Sequence, residues 1–154
     1  MHLSEFLDFD SVKPGLPAGT KRSLLQQLSQ LAGQRLGLDS AAILSSLVER
    51  ERLGSTGFGQ GVAIPHGKVE GLANIYCLFV RLSEPVDYKA IDGEPVDLVF
   101  LLLSPPDAGA EHLKALAAIS RVMRHGPTLE KMRGARSRDA LAAVLMGADE
   151  RDAA

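Results

Sequence analysis

Tryptophan is absent from this chain, and aromatic residues make up only 5% of it. Binding to single-stranded nucleic acid relies on aromatic faces that stack on bases, so that class is not expected. A basic excess is missing too. The formal net charge is −2 and the sequence pI is about 6.1, whereas nucleic-acid binders normally carry a positive field. Only one cysteine occurs, Cys77, which excludes an intrachain disulfide and fits a reducing compartment. It stands in the apolar run 75–80, as a small buried hydrophobe would. Neither C-x-x-C nor H-x-x-x-H spacing is present, so no metal site is expected. The G-x-S-x-G elbow of serine hydrolases is missing. The longest apolar run, 98–103, falls far short of the roughly 20 residues of a membrane helix. The N-terminus, MHLSEFLDFD, has acids where a signal peptide needs a basic start and an apolar middle. A soluble cytoplasmic protein without membrane insertion is expected.

What is present suits one globular domain. The 154 residues are 45% hydrophobic and 23% charged. A chain of this length buries roughly 70% of the surface its unfolded form exposes, so it needs no staple. Residues 1–19 are expected to be irregular, because Pro14, Gly15, Pro17 and Gly19 punctuate them. Thr20 is a candidate N-cap for a helix reaching Gly37, with Leu24, Leu28 and Leu31 on its buried stripe. Asp39 or Ser40 caps a second helix that runs out in Glu49-Arg50-Glu51-Arg52 and stops at Gly54. A short strand is expected at 62–64. Residues 74–82 and 96–103 are apolar on both faces, which reads as two strands inside a covered sheet. A third helix starts near 108–110, capped by Asp107, and carries His112, Leu116, Ile119 and Met123 along one stripe. Pro127 and Thr128 open a short helix, and Ser137 caps a last one ending at Met146. The expected division is a domain over 20–146 and a frayed tail over 147–154. Helices before, between and after apolar strands imply an α/β or α+β fold, a single domain with a mixed sheet covered by helices on both faces.

The chemistry concentrates in two stretches. GVAIPHGKVEG, residues 61–71, sets His66 between a proline and a glycine. Pro65 lacks an N–H and interrupts sheet pairing. Gly67 lets a partner's backbone or a phosphate come close. A neutral imidazole there offers a lone-pair nitrogen near pH 7, because its unperturbed pKa is about 6.5. A plain turn histidine fits the same residues, and the spacing leaves both roles open. Just upstream, GSTGFGQG puts four glycines in eight residues. Such a loop can turn N–H groups toward an anion, with Ser55 and Thr56 adding hydroxyls, or it can be merely flexible. It lacks the Gly-Lys-Ser/Thr ending of a P-loop and does not join a strand to a helix, so nucleotide binding is unsupported. His112 falls in the first turns of the third helix, where the positive helix end disfavours its charged form. Arg50, sixteen residues before His66, suits bidentate contact with phosphoryl oxygens or a solvated helix end. His2 and His125 look idle.

Taken together, RERLGSTGFGQGVAIPHGKVEG (50–71), IDGEPVDLVFLLLSP (91–105) and the EHLKAL stretch that follows closely resemble the type-2 IIA proteins of the bacterial phosphotransferase system. This is the fructose/mannitol class, and the resemblance is strongest to its nitrogen-regulatory branch, over about residues 20–146. The resemblance implies the type-2 IIA fold and a phosphoryl relay. A histidine-phosphorylated carrier protein would donate to His66, with His112 as the second pocket histidine and Arg50 as the pocket arginine. Ser55, Thr56 and Gly57 would form the phosphoryl-binding loop. It implies no cofactor, since the donor is already a reactive phosphohistidine. Family members carry the phosphoryl group on the ring nitrogen Nε2. The nitrogen branch regulates other proteins, such as potassium-transport or sensor-kinase partners, according to its phosphorylation state. Two other roles stand beside this one: a soluble IIA subunit that passes phosphate to a sugar permease IIB domain, and a binding regulator that is never phosphorylated.

Overall fold

Two long apolar strands organise the computed structural model of the protein, which describes residues 1–153, with side chains through Glu150. Strand β5 (Tyr76–Val86) and strand β6 (Val96–Ser104) pair antiparallel in register, from Tyr76↔Leu103 to Arg81↔Leu98. Their inner residues, Cys77 to Val80 and Leu98 to Leu103, are fully buried, which is why they read as continuous apolar runs. Around them the sheet takes the order β1-β5-β6-β3-β2, with β1 at Lys13–Leu16, β2 at Gly57–Gly59 and β3 at Val62–Ala63. A sixth strand, β4 (His66–Lys68), also pairs with β6.

Strands β3 and β4 share one lane. Val62 pairs with Leu98, Ala63 with Val99, and His66 with Leu102, all parallel to β6 and all 36 positions apart. The lane therefore keeps its register through Ile64-Pro65, and the Pro65 carbonyl accepts from Leu102 N–H at 3.0 Å. His66 thus does not end a strand, as the sequence reading expects. It resumes one just after Pro65, and side-chain alternation then decides its face. With Val62 and Ile64 it points to one side of the sheet, and Ala63 and Gly67 point to the other.

Each side has its own helical cover. On one, α1 (Lys21–Leu36) and α2 (Ser40–Arg52) pack Leu24, Leu28, Ile43 and Leu47 against Ala63, Leu78, Val99 and Leu101. Thr20 Oγ1 caps α1 by accepting from Ser23 N–H, Gly37 ends it at a φ of 68°, and Asp39 caps α2. On the other side lie α3 (Gly109–Met123), α4 (Gly126–Gly134) and α5 (Arg138–Ala153), with Ile119, Met123, Met132, Leu141 and Leu145 against Phe79, Phe100 and Leu102. Ser137 Oγ caps α5 by accepting from Ala140 N–H.

The structure differs from the sequence reading at four places. The first nineteen residues are not irregular. Leu3, Phe6, Leu7 and Val12 enter the core, and β1 joins the sheet edge, where Pro14 is tolerated. GSTGFGQG is not a flexible loop. Its second half forms a β2–β3 hairpin whose turn residues, Gln60 and Gly61, both have positive φ (58° and 79°). The tail expected to fray after Met146 continues α5 instead, and the buried Asp149 carboxylate accepts from Leu3 N–H at 2.6 Å. Ala154 lies outside the described residues. Asp107 is not the α3 cap either; Ala108 holds that position without a side-chain bond.

Candidate functional site

The site forms where the outer edge of the β3–β4 lane loses its partner. Thr56 carbonyl still accepts from Ile64 N–H at 3.0 Å, and beyond Pro65 the β2 hairpin no longer runs alongside. Helix α2 closes in there. Ser46 Oγ donates to the Lys68 carbonyl at 2.9 Å, and a Cβ on Gly67 would collide with Ser46 Oγ and stand 3.2 Å from Ser46 Cβ. Gly67 therefore serves the packing of α2 on β4, not the approach of a phosphate.

His66 is half-buried and held at both nitrogens. Nδ1 lies 2.8 Å from the Ile64 carbonyl oxygen, and Nε2 lies 3.1 Å from Arg50 Nε. These partners fix the tautomer. A carbonyl only accepts, so Nδ1 carries the proton; a guanidinium only donates, so Nε2 carries the lone pair. Burial, followed by repulsion from the Arg50 guanidinium, moves the His66 pKa below the ordinary imidazole value, although the Ile64 bond and Glu51 oppose this. The ring is neutral at pH 7, with its basic nitrogen in the pocket.

His112 comes from the first turn and a half of α3 and is buried. Its ring centre is 5.4 Å from that of His66. Ser104 Oγ, itself fully buried, lies 2.6 Å from His112 Nδ1. When Ser104 donates that proton, Nε2–H is left as a donor. Burial and the nearby His66 and Lys68 lower the His112 pKa to about 4, so this ring is neutral as well. Two neutral imidazoles at this spacing can divide the work, one as nucleophile and the other as hydrogen-bond donor.

Arg50 closes the last turn of α2. Its Nη1 donates to the Gly54 carbonyl at 2.8 Å while Nε reaches His66. The next residue, Glu51, points the other way and ties down the loop. It pairs with Lys21 at 2.8 Å, accepts from Thr56 N–H at 3.1 Å, and accepts a short hydrogen bond from the Thr56 hydroxyl. Thr56 Oγ1 also meets Tyr88 OH at 2.9 Å. The Thr56 hydroxyl and N–H are thus both committed to Glu51. The Gly57 N–H is likewise committed, to Ser55 Oγ at 3.1 Å. Of the loop residues singled out in the sequence, Ser55 and Thr56 line the cavity beside His66 and Gly57 is absent from its lining.

That cavity, about 300 Å³, is bounded by Arg50, Ser55, Thr56, Ile64, His66 and Phe58, and by Leu116, Ser120 and Arg124 of α3. Ser120 and Arg124 escape the sequence reading. They follow His112 and Leu116 at four-residue intervals, so they share a helix face with them, and that spacing was the available signal. His2 and His125 lie outside the cavity, and His125 Nδ1 meets Thr128 Oγ1 at 2.8 Å. No cluster of metal-ligating side chains occurs among the described residues, nor any helix long and apolar enough to cross a membrane.

A solved structure of the nitrogen regulatory protein IIA-Ntr from Neisseria meningitidis superposes with a TM-score of 0.87 at 35% identity, covering 93% of this chain and 98% of that one. A nitrogen regulatory protein of Bradyrhizobium diazoefficiens is 43% identical over 145 residues, 94% of this chain and 95% of the relative. A fructose-specific EIIA component of the phosphotransferase system in Haloferax volcanii is 35% identical over 130 residues, 84% of each chain. The family model described as "Phosphoenolpyruvate-dependent sugar phosphotransferase system, EIIA 2" matches residues 5–147, which includes most of the N-terminal segment that the sequence reading leaves outside the domain. With nearly its whole length matched, the chain belongs to the EIIA 2 family of the phosphoenolpyruvate-dependent sugar phosphotransferase system.

Proposed function

We propose that His66 receives a phosphoryl group from a histidine-phosphorylated carrier protein and that the chain regulates other proteins through the resulting change of state. The observation that carries the acceptor role is the His66 tautomer: Nδ1–H is bound to the Ile64 carbonyl and the Nε2 lone pair faces the cavity. In the transfer, the Nε2 lone pair forms a bond to phosphorus as the donor's P–N bond breaks, and the donor nitrogen keeps its electron pair. Phosphoryl transfer leaves the protein mainly positioning and charge stabilisation to supply. Arg50 is already in contact with the attacking nitrogen. As the lone pair becomes a bond, Arg50 Nε loses its acceptor on the ring and gains phosphoryl oxygens. His112 Nε2–H supplies a second donor. The chain acts as a stoichiometric carrier, not as an independent catalyst.

The regulatory reading rests on the nitrogen regulatory names of its close relatives. About two negative charges added at a half-buried surface site change what can dock there. Potassium-transport and sensor-kinase proteins are the kinds of target this reading names, and a cytoplasmic location goes with it. A fructose-specific relative favours one second reading, delivery of the phosphoryl group to a sugar permease IIB domain.

The test is incubation with phosphoenolpyruvate, the first relay enzyme and the carrier, followed by intact mass. One phosphate on the wild type and none on a folded His66→Ala variant is the expected result. Phosphate on the variant would reject His66 as the acceptor. Rapid onward loss of the label to a IIB domain would favour the transport reading.

A further inference from the structure

We infer that Arg124, at the C-terminal end of α3, is a second phosphoryl-binding cation of this site. The inference rests on the relay reading above and deepens it. Arg124 lines the same cavity of about 300 Å³ as His66 and Arg50, and it comes from a different helix. Its backbone N–H ends α3 by donating to the Ser120 carbonyl. Its side chain is exposed and makes no hydrogen bond or ion pair among the described residues.

The charge balance calls for such a group. A phosphoryl group near neutral pH carries about −1.5 to −2 charges. Arg50 supplies one positive charge, and one of its nitrogens is already spent on the Gly54 carbonyl. His112 enters neutral, and the Thr56 hydroxyl and the Thr56 and Gly57 N–H groups are committed elsewhere. The cavity lining contains no carboxylate that would neutralise a second cation. A guanidinium can take two phosphoryl oxygens at once. Arg124 therefore completes a clamp in which α2 and α3 each contribute one arginine, and a phosphate bound at His66 bridges the two helices. A cation at a helix C-terminus also complements the helix dipole, so the test must separate the two roles.

Single-turnover phosphorylation by the phosphorylated carrier separates them, with wild type, Arg124→Gln and Arg124→Lys compared over a range of carrier concentrations. The expected result is a fall of about tenfold in the maximal transfer rate of Arg124→Gln, as for loss of one charge-assisted hydrogen bond. The half-saturating carrier concentration stays unchanged, and Arg124→Lys recovers part of the rate. An unchanged maximal rate in a folded Arg124→Gln variant overturns the inference and leaves Arg124 a helix-end cation. A change confined to the half-saturating concentration also overturns it, and assigns Arg124 to carrier docking. A wild type that accepts no phosphate defeats the relay reading itself, and this role with it.

Discussion

Arg133 and Arg50 lie near opposite ends of the β6 strand, and their surroundings differ in one respect. Arg133 meets a carboxylate. Its Nε and Nη2 each lie 2.8 Å from an Asp97 oxygen, and Nη2 also donates to the Gln60 carbonyl at 2.7 Å. Arg81 completes that end by donating to the Pro14 and Arg133 carbonyls. The cluster ties β1, the β2–β3 turn and α4 to the start of β6. Arg50, and Arg124 with it, forms no ion pair among the described residues. Its partners are a carbonyl and an imidazole lone pair. At one end of the strand Asp97 neutralises Arg133, and the pair serves as structure. The other end keeps cations without counter-charge beside a nucleophilic nitrogen, as a site built to receive an anion requires.

Arg50→Gln breaks this contrast most severely. The transfer rate onto His66 should fall about 100-fold, the scale of losing a preorganised charge contact in a transition state. Its melting temperature should stay within about 2 °C of wild type, since little packing is lost. Arg133→Ala should do the reverse. Transfer should proceed at the wild-type rate, while the loss of a bidentate pair and a carbonyl bond costs about 1–2 kcal/mol and lowers the melting temperature by about 3–6 °C. A heat-labile Arg50→Gln or a transfer-defective Arg133→Ala would reverse the assignment of the two ends. The smallest effect is on pH dependence. His66 titrates below the ordinary imidazole range, and its protonated ring has no lone pair at Nε2. The midpoint of the acid decline in the wild-type rate should therefore lie below the unperturbed imidazole value of about 6.5. Removing the Arg50 charge raises the His66 pKa, so the Arg50→Gln profile should turn down at a higher pH.

The two ends also differ in how legible they were. The helices α1 and α2 could be read to their caps because Thr20, Gly37 and Asp39 act locally. Strands β5 and β6 could be read because burial on both faces leaves an unbroken apolar run. His66, Arg50 and His112 stood out because the motif resembles a known family, and the structure brings all three together. What escaped depends on contacts distant in sequence. Nothing near Thr56 reveals that Tyr88, 32 residues on, meets its hydroxyl. Nothing near Gly67 reveals Ser46. The N-terminal residues lack periodicity, since Leu3, Phe6, Leu7 and Val12 enter the core from short 3-10 turns and the loops beside them. Ser120 and Arg124 did carry a signal, the four-residue ridge from His112, but without the position of β4 nothing said that this ridge faced His66.

The central claim is that His66 waits as a neutral imidazole with its proton on Nδ1 and its lone pair on Nε2. Two-bond and three-bond ¹⁵N–¹H correlation spectra of the histidine rings test it most directly, recorded at pH 7 before and after phosphorylation. The account expects the Nδ1–H tautomer for His66 in the free protein and phosphorus on Nε2 afterwards. A free protein with the proton on Nε2, or a phosphoryl group found on Nδ1, would contradict it.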